Sequence, residues 1–222
     1  MLRTLEANLI EAIEKLKKQE KKRKFKESIE LIINIEGIDL KKPENRFAED
    51  IELPYGLNGK KRKICIIAGS ALASEAKKIP EVDRVIERDE LEALVGNKRA
   101  AKKISSKYDY FLVDPPLMSL TAKALGAALG GRGKRPIPIP PGSNINELVK
   151  KYSRTVTVNV RKNPQAMCLI GTIDMDSKEV AENALTVISK VADRLERHFK
   201  NIKSIYIKRT MGEPIKISLE EE

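Results

Sequence analysis

Residues 21–35, KKRKFKESIELIINI, decide how the rest of the chain is read. Five of the first six are Lys or Arg, the exception being Phe25, and from Ile29 onward the apolar residues Ile29, Leu31, Ile33 and Ile35 occupy every second position. Strict alternation of this kind is the spacing of a strand with one face buried. A cationic loop carrying one aromatic is thus tied to a folded sheet, as at the lip of a nucleic-acid site. A charge run standing alone is equally a solvated face, so the reading depends on what surrounds it.

The composition agrees with a nucleic-acid partner. The 222 residues carry 43 Lys and Arg against 32 Asp and Glu, a formal charge of +11, and hydrophobic residues make up 41%. That is enough apolar material for one large or two small cores, and the cationic excess favours phosphate-rich partners over acidic small molecules. No apolar run approaches the roughly 20 residues of a spanning helix, so a cytoplasmic protein without a membrane partner is expected. Cys65 and Cys168 stand far apart in strand-like contexts, which points to buried free thiols and not to a disulfide or metal pair.

Outward from the opening stretch, residues 2–18 place Leu2, Leu5, Leu9, Ile13 and Leu16 on one face of an amphipathic helix. After the first strand come a Pro-interrupted turn, a short strand EDIEL, and a cluster of breakers, Pro54, Gly56, Asn58 and Gly59, that marks a domain boundary. The grammar then changes to strands (KICIIA and YFLVD, read as buried, and the short VDRVI) alternating with helices at 70–78, 89–95, 98–106 and 119–129, the last with Ser119 as cap. This βαβα order implies a small parallel sheet. Residues 130–144, GGRGKRPIPIPPGSN, are too rich in Gly and Pro for regular structure and read as a rigid cationic loop. Beyond a short helix the alternating style returns in TVTVNV and in residues 166–173, followed by a helix expected over 177–199 and by a hairpin-like pair, SIYIK and PIKIS, around TMGE. The expected architecture is an α+β domain, an antiparallel sheet with packed helices made from both chain ends (1–61 and 154–222). An α/β Rossmann-like domain (62–153) is inserted into it, with two chain crossings that would make a hinge.

Catalysis and cofactor binding find little support. Gly133-Lys134 lacks the glycine of a P-loop at Ala128 and has Arg135 where Ser or Thr would hold magnesium, and the GSALAS turn has one glycine where a dinucleotide fingerprint needs three. His198, the only histidine, reads as a helix-dipole partner or surface residue. Asp174 and Asp176 fit turn formation and capping better than metal binding. The expectation is a protein that is not an enzyme and needs no cofactor or metal. The binding reading gains instead: Lys24 and its neighbours, Arg161 and Lys162 at one strand end, and Arg209 with Thr210 at another would form one patch if these edges meet. Phe25 could serve such a patch or pack into the core.

The ordered set KFKESIEL, LPYGL, LGAALGGRGKRPIP, the long helix and SIYIKRTMGEPIKI resembles the family of ribosomal protein number one of the large subunit, the protein of the mobile stalk beside the transfer-RNA exit site. The resemblance covers essentially the whole chain, and variants such as QAMCLIGT look archaeal. It implies two hinged domains, the first from both chain ends and the second inserted and Rossmann-like. Its implied partners are the stalk of large-subunit ribosomal RNA, the protein's own messenger RNA, whose translation it would repress, and deacylated transfer RNA at the exit site. The free protein would be a monomer. On the family's two RNA-contacting segments fall Lys24, Phe25, Glu27 and Ser28, and Thr210, Met211 and Gly212. Bacterial members usually have Thr at Ser28, and Pro directly after the glycine where Glu213 here precedes Pro214. The competing readings are a nonspecific basic nucleic-acid binder and a nucleotide-dependent enzyme.

Overall fold

The computed structural model describes residues 2–18 and 24–219. Lys21, Lys22 and Arg23 of the basic run, and the side chain of Leu2, lie outside what is described. The chain runs through α1 (Leu2–Lys18), β1 (Ser28–Ile35), β2 (Phe47–Glu52), β3 (Ile64–Ile67), α2 (Ser70–Ala76) and β4 (Arg84–Ile86). It continues through α3 (Arg88–Leu94), α4 (Lys98–Lys107), β5 (Tyr110–Val113), α5 (Met118–Gly130), β6 (Pro136–Pro138) and α6 (Ile145–Ser153). The last elements are β7 (Thr155–Val160), β8 (Gln165–Thr172), α7 (Ser177–Asp193), β9 (Ile202–Arg209) and β10 (Ile215–Ile217). Two compact units result, Met1–Lys60 with Arg154–Glu222, and Lys61–Ser153.

In the first unit β1 is an interior strand of an antiparallel sheet with order β10-β9-β1-β8. Its alternation now has a physical meaning. Ile29, Leu31, Ile33 and Ile35 are buried in one core with Leu9, Ile13 and Leu16 of α1 and Val180, Val187, Ile188 and Val191 of α7. Each such side chain stabilises the fold by about 1.5–3 kcal/mol when fully withdrawn from water. β2 and β7 pair separately as an antiparallel ribbon. At Gly171 on β8 an added Cβ would lie 2.9 Å from Val180 Cγ2, so α7 can approach this closely only over a glycine. Asn183 on α7 is fully buried; its Nδ2 donates to Gly56 O (3.0 Å) and Ile170 O (2.9 Å), and its Oδ1 accepts from Tyr55 N. One side chain thereby ties the breaker turn to the helix and to β8.

The second unit has a parallel sheet of order β4-β3-β5-β6. Its central strands β3 and β5 are buried on both faces, as their unbroken apolar runs require. Cys65, Ile67, Phe111 and Val113 face a core shared with α3, α4 and α5, while Ile64, Ile66, Tyr110 and Leu112 face one shared with α2 and α6. Burial pushes the Cys65 thiol up to about 12, which keeps it protonated and unreactive. Cys168 is half-buried, and neither cysteine is in a disulfide.

Three local expectations are corrected. Residues 136–138 form an edge strand, not a structureless loop: in the PIPIP run the isoleucines carry the amides, Ile139 N donating to Val113 O at 2.9 Å, while the missing proline amides fall on the open side. Ser119 does not cap α5, because Pro115 and Pro116 start a 3₁₀ turn earlier and leave Leu117 at the cap position. Helix α7 stops at Asp193, well short of Phe199, and the exposed His198 has φ of 50° at the start of a 3₁₀ turn. The cause is tertiary: Asn201 accepts from Arg197 N (2.9 Å) and donates to Glu36 O (2.8 Å), turning the chain into β9 beside the end of β1.

Candidate nucleic-acid interface

The junction between the loop before β1 and the turn after β9 is set by antiparallel pairing, in which Ile29 stands opposite Arg209. The backbone amide of Thr210 donates to Ser28 O at 3.1 Å. The Thr210 hydroxyl bridges the same residue, accepting from Ser28 N and donating to Ser28 O, both at 3.3 Å. Gly212 N closes the following turn on Arg209 O at 3.0 Å. Residues 182 positions apart in sequence are thereby held as neighbours.

Side chains at this junction divide into a surface and a floor. Lys24 is exposed, Phe25 is 53% and Met211 66% exposed, and Thr210 and Gly212 are half-buried. The Phe25 question is thus resolved against the core. Beneath them Glu27, Ser28 and Arg209 are buried. Arg209 Nη2 pairs with Glu27 Oε2 inside the fold, and Arg209 Nη1 reaches Leu16 O at 3.4 Å. These three side chains lie below the surface in the described structure, and the ion pair joins the loop to the last long strand and α1. Such a pair stays in place because each charge neutralises the other in a medium where either alone would be strongly unfavourable.

Further cations converge on the same place. Lys60 donates to Ser28 Oγ at 2.7 Å, and Lys26 pairs with Asp174 Oδ2 at 3.0 Å with both groups well exposed. Gly59, at φ of 83°, brings the backbone close enough that an added Cβ would lie 3.2 Å from Lys26 Nζ. Asp174 is thus a counter-ion for the basic loop, while Asp176, at the start of α7, makes no side-chain capping bond. Lys60 was the residue a sequence reading could have found: KKRK at 60–63 repeats KKRK at 21–24.

Arg161 and Lys162 do not join this junction. They follow β7 in the turn before β8, whose start pairs with the far end of β1, Asn34 opposite Gln165 and Ile35 N bonded to Pro164 O at 2.8 Å. The single patch expected from sequence is two patches, separated by the length of β1.

Among the described residues no group of three or more His, Cys, Asp or Glu could hold a metal ion, and no helix is long and apolar enough to cross a membrane. The junction presents exposed aromatic, thioether and ammonium groups on a rigid pairing of strands, a surface without the residues of a catalytic or metal centre among those described. The chain belongs to the ribosomal protein L1p/L10e family, whose model matches residues 16–213. It is similar to the large ribosomal subunit protein uL1 of Thermococcus kodakarensis, 41% identical over 210 residues that cover 94% of this chain and 96% of the relative. The protein of the same name from Aeropyrum pernix is 40% identical over 214 residues, covering 96% of each chain. That from Methanothermobacter thermautotrophicus is 37% identical over 213 residues, covering 96% of this chain and all of the relative. Membership makes this a ribosomal structural protein and not an enzyme.

Proposed function

We propose that the unit built from both chain ends binds a structured region of large-subunit ribosomal RNA, the stalk beside the transfer-RNA exit site, through Lys24, Phe25, Thr210, Met211 and Gly212. The observation that carries this reading is the Ser28–Thr210 clamp, which holds two remote segments together while leaving Phe25 and Met211 in water. An exposed aromatic can stack on an unpaired base, Thr210 can address a 2′-hydroxyl, and Gly212 allows the backbone to come close. Glu27, Ser28 and Arg209 act from below by fixing the loop, and Lys26 and Lys60 supply cations for phosphate. The parallel unit is taken as the family's inserted Rossmann-like domain, and contact with deacylated transfer RNA would come with stalk placement.

The same surface would serve for a similar fold in the protein's own messenger RNA, with repression of its translation as the result. Both roles put the protein in the cytoplasm on the ribosome. Competition of stalk RNA against bulk RNA at moderate salt tests the proposal: stalk RNA should win by about a thousandfold, the low end of specific recognition. Equal competition would leave a nonspecific basic binder.

A further inference from the structure

A second cationic surface lies at the opposite end of β1. Lys41 and Arg46, from the β1–β2 connection, and Arg161 and Lys162, from the β7–β8 turn, line an open cavity of about 390 Å³ with Asp39 and Leu40. All four cations are exposed, and none is ion-paired with another described residue. The one carboxylate in the lining is occupied with its own turn, Asp39 Oδ1 accepting from Lys41 N at 2.9 Å. Asp39 O accepts in addition from Asn45 Nδ2 at 2.8 Å, which fixes the connection as a rigid rim. Arg46 is held by one edge of its guanidinium, Nε donating to Leu40 O at 2.6 Å.

An arginine anchored through Nε keeps its terminal nitrogens in a fixed plane, the geometry suited to a phosphate. Leu40 adds a partly buried apolar wall of the kind that lies against a ribose. The space suits a stretch of sugar–phosphate backbone better than an isolated ion, and four cations against one committed carboxylate select a polyanion. β1 has eight residues, so at about 3.3 Å per residue this cavity stands on the order of 25 Å from the Phe25–Thr210 junction. One nucleotide cannot span that distance, but one structured RNA can.

We propose that Lys41, Arg46, Arg161 and Lys162 form a second phosphate-binding subsite that holds the backbone of the same RNA several nucleotides away from the segment at the junction. It rests on the RNA reading of the junction and adds to it a division of labour. Base and ribose groups are read at one end of β1, while backbone position and orientation are fixed at the other.

The test measures affinity across a range of salt for the full chain with long stalk RNA and with the same RNA trimmed to the segment protected at the junction. Arg46→Glu with Arg161→Glu, and separately Lys41→Glu with Lys162→Glu in case the first pair disturbs the turn, should weaken the long RNA at least tenfold. Each pair should flatten its salt slope by about two units. The trimmed RNA should bind as before. Equal loss on both RNAs, or loss on neither, overturns the subsite. Phe25→Ala on the long RNA reports the junction independently: if charge reversal weakens the long RNA and Phe25→Ala does not, the subsite stands and the junction reading falls.

Discussion

Two glycine-containing cationic turns in this protein look alike as sequence and behave differently as structure. In the parallel unit, GGRGKR at 130–135 carries Lys134, whose ammonium is turned inward to donate to Ser105 O (2.9 Å) and Tyr108 O (2.5 Å). Burial holds that ammonium below the usual lysine range. The residues that follow are consumed as an edge strand. At the β9 end of the other unit, RTMG at 209–212 also sends its cation inward, Arg209 being buried, but it leaves an apolar side chain, Met211, outside. A turn is available for binding when its polar groups are satisfied by the backbone and its side chains are left over. Both turns commit a cation to the fold, Lys134 in the first and Arg209 in the second, but only the second also leaves an apolar side chain exposed.

The comparison can be broken at the floor of the second turn. Arg209→Ala leaves the Glu27 carboxylate buried without its cation and should cost about 3–5 kcal/mol of stability in denaturant unfolding. A smaller loss would mean that Glu27 is reached by water and that the floor is not closed. Next in size, Phe25→Ala should weaken specific RNA binding by roughly 1–3 kcal/mol, the worth of one aromatic stacked on a base, with the unfolding midpoint unchanged. Lys134→Ala should do the reverse. Stability should fall by about 1–2 kcal/mol as two carbonyls lose a donor, and RNA affinity should stay where it was. Were Lys134→Ala to weaken RNA binding without destabilising the chain, the contrast between the turns would fail. The smallest effect belongs to Asp174→Asn. Its exposed pair with Lys26 contributes less than about 1 kcal/mol, so stability should hardly move. Freed of its counter-ion, Lys26 should make RNA binding slightly tighter at low salt, an advantage that titration at high salt should erase.

How much of this was legible depends on whether a feature is local. The alternation of Ile29, Leu31, Ile33 and Ile35 identified β1 because burial of one face is written in the strand itself. The buried runs around Cys65 and Phe111 identified the parallel sheet for the same reason. The stop of α7 at Asp193 was not legible, since no breaker lies there and the turn is imposed by Asn201 reaching Glu36 across the unit. The burial of Glu27 and Arg209 was hidden because a charge beside a strand ordinarily faces water, and only their mutual pairing lets both go inside. Whether Arg161 and Lys162 join the other cations was left open by the sequence, because a strand has two ends and its sequence does not say which neighbour each end meets. Ser28 and Thr210 were linked only through a resemblance to known motifs; the register of β1 against β9 supplies the physical reason.

The Ser28–Thr210 clamp has a consequence in time as well as in space. β1 is made early, but it can complete its sheet only when β8 and β9 exist on either side of it, and Thr210 is synthesised 182 residues after its partner. Contacts this distant in sequence form slowly, because the loop must close before the pairing rewards it. In a nascent chain Phe25 and its loop therefore precede by some 182 residues the turn that holds them in place. The junction is completed only when the turn at residues 210–212 folds back onto β1.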